Sequence, residues 1–278
     1  MVRAPISSPA SIFRTLRSIT IWVGSAVALA LVGLCLVRAN VPNELLKSSS
    51  DAVGNYLQTL GTIYAVLLAF VVFVVWQQFN DARAHIEGEA NELLDLARTV
   101  HGLPETLWRP FLSHVKRYVE LVLAEEWPVM AGRGNATFAR GSQLLDEMWE
   151  LLVEYEPCSE CHKSLYDEAL ARFNDLSDRR MSRLVSSRLR IPLALRLLLY
   201  TGAVITAASM WLFYVESFAV HAVMTSALAG CISHVLYVIS DLDDCFSGNW
   251  QVPSSQFERV GAQVEARLER APEKGRSR

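Results

Sequence analysis

Four sets of residues in this chain have the types and spacing to do chemistry. Cys158, Cys161 and His162 stand in the order CSECH. That is the spacing of covalent c-type haem attachment, and two thiols with an imidazole are also ligands for a metal ion. Zinc takes about four such ligands, and no fourth stands nearby. The same residues read equally as two thiols at the start of a helix. Asp241, Asp243 and Asp244 crowd three carboxylates together. Hard cations such as calcium bind several oxygens, but the EF-hand spacing is absent. The alternative is an acidic turn closing a helix, with Gly248 supplying a permissive backbone. His221 and His234 lie in an otherwise uncharged apolar run, where ionisable groups are functional candidates.

The fourth set is a stripe in steps of three and four: Thr59, Thr62, Val66, Phe70, Phe73, Gln77, Asn80, Ala84, Glu87 and Asn91. On a helix these share one face. The face starts polar, becomes apolar, then turns polar and acidic. That order suits an ion path, because wet entrances flank a constriction that can dewet. The alternative is that Val66, Phe70 and Phe73 only pack against other helices. Glu125 and Glu126 read as solvated acids at a helix end. There is no phosphate-cradling glycine loop, nucleophile elbow or HExxH, so neither enzyme activity nor a cofactor is expected.

The elements that position these residues are apolar helices. Of 278 residues, 51% are hydrophobic and only 20% charged, which excludes a disordered chain. A net charge of −3 argues against a nucleic-acid binder, and five cysteines against a disulfide scaffold. Four runs approach the roughly 20 residues that cross a bilayer: Ser18 to Val37, Leu57 to Trp76, Leu197 to Val215 and Ser217 to Ser240. None alternates with period two, so strands are a poor reading. The first run is longer than a signal-peptide core and lacks a good cleavage site after it, so it reads as a retained anchor. Arg196 reads as a snorkelling residue at the end of the third run.

Orientation follows the Lys and Arg residues beside the spans. Arg3, Arg14 and Arg17 precede the first. The loop between the first two carries only Arg38 and Lys47, and the connection between the last two carries none. Arg179, Arg180, Arg183, Arg188 and Arg190 precede the third span, and Arg259, Arg267, Arg270, Lys274, Arg276 and Arg278 follow the fourth. Both termini and residues 78–190 are therefore placed in the cytoplasm. Residues 78–190 read as helices: one continuing from the second span, one from Glu105 to about Trp127, one from about Ala136 to Val153, and one from about Ser159 to Leu189. Breaks fall at Gly102 and Pro104, at Gly132, Gly134 and Asn135, and at Pro157.

Three stretches carry a family resemblance: GTIYAVLLAFVVFVVWQQFNDARAHIEGEAN from Gly61 to Asn91, AEEWPVM from Ala124 to Met130, and DLDDCFSGNWQV with the later QFERV from Asp241 to Val260. Together they resemble the bestrophin-like family of bacterial membrane proteins, a domain of unknown function, over residues 55–260. The resemblance implies distant similarity to true bestrophins, pentameric ion channels with the pore lined by the second helix. It points to the helix that carries the stripe but fixes no inward face; that Thr62, Val66, Phe70, Phe73, Gln77 and Glu87 line a pore is the reading of the stripe's own polar–apolar–polar order. The resemblance also implies a calcium clasp at Asp241, Asp243 and Asp244. The family pattern there is DLDRPFSG, so Cys245 stands in place of a proline and Asp244 in place of a basic residue.

The expected protein is all-α and integral to the bacterial inner membrane, with four transmembrane helices and a helical cytoplasmic insert between spans two and three. Its parts are a leader (1–17), two spans (18–77), the insert (78–190), two spans (191–240), and an acidic turn with a tail (241–278). The expected function is a homo-oligomeric ion channel, possible partners being membrane lipid and inorganic ions, with no nucleic acid. The alternatives are a non-conducting membrane scaffold that recruits a cytoplasmic partner and, more weakly, a haem or redox protein using CSECH.

Overall fold

The computed structural model describes residues 9–132 and 138–270. Arg3, Gly134, Asn135, Ala136, Lys274, Arg276 and Arg278 lie outside them, as does the side chain of Arg14. Every regular element among the described residues is helical. In order these are α1 (Pro9–Asn40), α2 (Asn43–Val100), α3 (Glu105–Leu121), a π-helical turn (Val122–Glu126) and α4 (Trp127–Met130). They continue with α5 (Ala139–Val153), α6 (Glu160–Arg188), α7 (Leu193–Ser209), a 3-10 turn (Met210–Leu212), α8 (Phe218–Leu242) and α9 (Ser255–Arg270). Four helical segments are long and apolar enough to cross a membrane: Thr15–Asn40, Asn43–Val100, Glu160–Leu212, which contains α6 and α7, and Phe218–Leu242.

Local chemistry sets most boundaries. Pro104 precedes α3 and Pro192 precedes α7, where a missing N–H costs nothing because the first turn has no partner for it. Ser159 caps α6 by accepting from the N–H of His162 at 3.2 Å, and Ser217 caps α8 through Val220. Gly132 follows α4 at φ 68°, a left-handed conformation that glycine adopts without strain.

Several boundaries differ from the sequence reading: α1 already begins at Pro9, inside the expected leader, and α9 lies within the expected tail. The expected loop between the first two spans shrinks to Val41 and Pro42, and α2 begins at Asn43. Its early turns are too polar to extend the apolar run, and Gly54 within them does not break the helix. The third apolar run does not stay α-helical to Val215. It tightens into the 3-10 turn at Met210–Leu212, and the chain is extended at Phe213.

The chain divides into two compact units. Met1–Gln77 with Arg190–Asp244 forms one, and Gln78–Leu189 with Cys245–Arg278 the other. In the first, α1 packs along α8 and α7 packs against α8. Glycines let side chains sink into helix surfaces. A Cβ on Gly33 would lie 2.2 Å from the Trp211 ring, whose Nε1 donates to the Ala30 carbonyl at 2.9 Å. Gly202 likewise faces the ring of Tyr64, whose hydroxyl donates to the Leu199 carbonyl at 2.7 Å. In the second unit, α3 packs between α5 and α9. Leu107, Phe111, Val115 and Val119 recur at helical spacing and are all buried, with Phe246, Phe257 and Val260 in the same core.

Candidate functional site

The stripe expected to line a pore lies on α2. Val66, Phe70 and Phe73 are 66%, 63% and 62% exposed, and Thr59, Thr62 and Gln77 are exposed beside them. On the other side of the same turns, Tyr64, Leu68, Val71 and Val75 are buried. Among the described residues, no helix covers this face. The Thr59 and Thr62 hydroxyls donate to the carbonyls of Asn55 and Gln58 one turn earlier, at 3.0 and 2.8 Å, which leaves their lone pairs outward. Further along α2, Glu87 accepts from Arg83 Nε at 2.9 Å. That contact sets a positive charge beside the stripe's one carboxylate.

The acidic turn is paired with arginines. Asp243 accepts the Ile191 N–H at 2.7 Å and Arg196 Nη2 at 2.6 Å, and Asp244 lies 2.9 Å from Arg190. Arg196, read from sequence as a snorkelling residue, is held by a carboxylate. Asp243 thereby ties the end of α8 to the chain entering α7. Gly248 takes φ 80°, and Cys245 is buried. Among the described residues no three His, Cys, Asp or Glu side chains are grouped to hold a metal ion. At CSECH the two thiols are exposed. His162 Nδ1 lies 3.3 Å from Cys158 Sγ and 3.3 Å from the Tyr155 hydroxyl. His221 is buried with Nε2 2.8 Å from the Met210 carbonyl, whereas His234 is exposed.

The second unit contains a charge cluster that the sequence reading missed. Glu126 is not solvated: it is 1% exposed. Arg180 engages both of its oxygens at 2.9 and 2.7 Å, and Arg183 Nη2 reaches it at 2.8 Å. Arg183 also donates to Glu89 from Nε at 2.6 Å and Nη2 at 3.1 Å. The Tyr118 hydroxyl donates to Glu89 at 2.5 Å and accepts from Arg180 at 3.1 Å. Two carboxylates and two guanidiniums balance, so no net charge is buried.

Burial alone would push the Glu126 carboxyl up, but Arg180 and Arg183 outweigh it and hold the carboxyl below the ordinary range. Burial pushes the Tyr118 phenol up, and the Glu89 charge adds to it. Burial disfavours the Arg183 cation, yet Glu89, the Tyr118 oxygen and Glu126 more than restore it. The π-helical turn aims Glu126 inward, with the Trp127 N–H bonding the Val122 carbonyl five residues back. Gly141 makes room, since a Cβ there would lie 2.2 Å from Glu126 Oε1 and 2.5 Å from Arg180 Nη2.

The sequence did hold a signal. Ala169, Phe173, Leu176, Arg180, Arg183 and Ser187 follow one another on α6 in steps of four and three, and all are buried. An apolar stripe that runs into arginines marks arginines in core positions. Glu125 differs from its neighbour, being partly exposed and paired with Arg140.

The model of the Bestrophin-like domain matches residues 24–257. The chain belongs to the bestrophin-like family. Solved structures share the bestrophin-like fold at low identity. A bacterial bestrophin homologue from Klebsiella pneumoniae, carrying a single substitution, superposes with TM-score 0.68 at 12% identity, covering 91% of this chain and 99% of that one. A second single-substitution variant gives TM-score 0.69 at 11% identity, covering 90% and 99%. A crystal structure described only as a membrane protein gives 0.68 at 12%, covering 90% and 98%. No curated protein matches the chain.

Proposed function

We propose that this bestrophin-like protein is a homo-oligomeric ion channel of the bacterial inner membrane, with α2 lining the pore. The observation that carries the reading is the uncovered stripe Val66, Phe70 and Phe73, with polar residues at both of its ends. In a membrane, no hydrophobic force requires lipid-facing apolar residues to be covered, so packing and the polar ends decide where that face lies. Around a shared axis, the three apolar residues form a constriction about 10 Å long. Thr59 and Thr62 wet one entrance, and Gln77 and Asn80 the other. Glu87 contributes a ring that favours cations, moderated by Arg83. Five subunits are the assembly that the resemblance to true bestrophins implies. Both termini and the insert lie in the cytoplasm, following the arginine distribution.

The test is unitary current from purified protein in planar bilayers, with the oligomer's mass measured by light scattering. Discrete openings from a stable oligomer support the reading. A silent oligomer under varied voltage, pH and calcium overturns it.

A further inference from the structure

Two concavities of the first unit meet end to end. One, of about 260 Å³, is lined by Arg190, Arg196, Asp243 and Asp244 together with Tyr200 and Leu236. The other, of about 470 Å³, lies between α1, α7 and α8 and is apolar, with Ala203, Ala207 and Ala229 among its walls. Tyr200 and Leu236 line both.

Helical periodicity explains the alignment. On α7, Arg196, Tyr200, Ala203 and Ala207 follow in steps of four, three and four, so one face runs from charge to alanine. On α8 and its C-cap, Asp243, Ile239, Leu236 and Ala229 run the same way in reverse chain order, in steps of four, three and seven. From Arg196 to Ala207 the rise is about 16 Å. That is close to half of the roughly 30 Å hydrocarbon core, the depth of a single leaflet. The small residues keep the groove open where larger side chains would close it.

The charged end carries both signs. Asp243, 6% exposed at its side chain, is committed to Arg196 and to the Ile191 N–H. Arg196 remains 46% exposed, while Arg190 and Asp244 are each 32% exposed. A guanidinium presents several N–H donors in a fork that suits phosphate, and Asp244 offers an acceptor for a cationic group. Two arginines and two aspartates line this end, so a purely anionic headgroup finds no complement for the aspartates. A zwitterionic headgroup finds a complement for each of its ends.

We propose that this composite site binds a single phospholipid of the phosphatidylethanolamine class. Its phosphate lies against Arg196 and Arg190, its ammonium against Asp244, and one acyl chain along the α1–α7–α8 groove. The site belongs to one protomer's spans and does not depend on whether the protein conducts.

The experiment incorporates the protein into nanodiscs of equal phosphatidylethanolamine and phosphatidylglycerol, re-extracts it into detergent, washes it, and quantifies retained lipid by mass spectrometry. Phosphatidylethanolamine is expected to be retained preferentially, and inorganic phosphate is not expected to displace it. Arg196→Gln removes a charge-assisted contact and is expected to lower retention about tenfold. Ala203→Phe, which fills the groove and leaves the charges intact, is expected to do the same. Val223→Ala, at an exposed position on α8 away from the groove, leaves retention unchanged. Should Arg196→Gln lose its gel-filtration profile, Ala203→Phe decides alone. Retention of phosphatidylglycerol equally or in preference, absence of retained lipid, or full retention by Ala203→Phe overturns the proposal.

Discussion

Arg183 grips both oxygens of Glu89, at 2.6 and 3.1 Å, and neither side chain has any exposed surface. Neither residue belongs to the expected pore stripe or the acidic turn, yet together they join α6 to α2 in the centre of the second unit. Removing one partner strands the other as an uncompensated buried charge. Arg183→Met is therefore expected to destabilise the folded protein by about 3–5 kcal/mol. Glu89→Gln combined with Arg183→Met is expected to recover part of that loss. Denaturant unfolding in detergent, followed by tryptophan fluorescence, checks both. If the single variant unfolds like wild type, the cluster contributes no such stability.

Gly141 is tested by the smallest possible change. A methyl group at this position collides with the Glu126–Arg180 pair. Gly141→Ala improves helix propensity in isolation but is expected to cost about 1–3 kcal/mol here, as overpacking does. A stabilised Gly141→Ala protein contradicts the packing described.

The pH dependence of the second unit has two limbs. Glu126 is held below the ordinary carboxylate range, so its contribution is present above the unfolded value near 4.3 and lost as pH falls through the lower folded value. Tyr118 is raised, so its contribution is present below the unfolded value near 10 and lost as pH rises above it. Stability is expected to be flat between these limits as far as this cluster is concerned. Glu126→Gln should flatten the acid limb and Tyr118→Phe the alkaline one. Unfolding midpoints measured across pH read this directly, and unchanged limbs in both variants refute the assignment.

Conduction offers a further test. Phe70→Ala with Phe73→Ala is expected to raise unitary conductance without dissociating the oligomer, because it widens the proposed constriction. If Leu67→Ala raises conductance instead, the stripe faces the wrong way. Glu87→Gln is expected to weaken cation preference. Arg83→Gln is expected to strengthen it, since it removes the guanidinium paired with Glu87. Reversal potentials in asymmetric salt distinguish the two.

At CSECH, Cys158→Ser with Cys161→Ser is expected to leave assembly and visible absorption unchanged. A haem Soret band that disappears in the double variant revives the haem reading.

Helices were legible because glycine and proline punctuate this chain. Pro104, Gly132, Pro157 and Pro192 each stand at or near a helix end. The apolar core of α3 was readable from its period, and so were the four membrane-length runs. The start of α2 was not, since Asn43 to Tyr56 lacks the apolar content of a span, and its serines with Gly54 and Asn55 look like a loop although the chain stays helical through them. The buried cluster was hidden for a different reason. Its partners come from distant parts of the chain, with Arg183 joining α2 to the π-helical turn, and a charged residue taken singly defaults to solvent. Only the continuation of the α6 stripe into Arg180 and Arg183 betrayed them. The tie between Asp243 and Arg196 likewise depends on the end of α8 lying beside the start of α7, which no local pattern states.

The π-helical turn at Val122–Glu126 has a historical consequence. Such a turn holds one residue more than the α-helix it interrupts, as if one residue had been added to an ordinary helix. Removing that residue would turn everything downstream by about 100°. Glu126 would swing away from Arg180 and Arg183, leaving two buried cations facing one acid. Because both arginines pair with the displaced glutamate, deleting that one residue alone is expected to be destabilising. The irregularity between α3 and α4 is thus expected to persist through descent as a fixed gap position, even where the residues around it change.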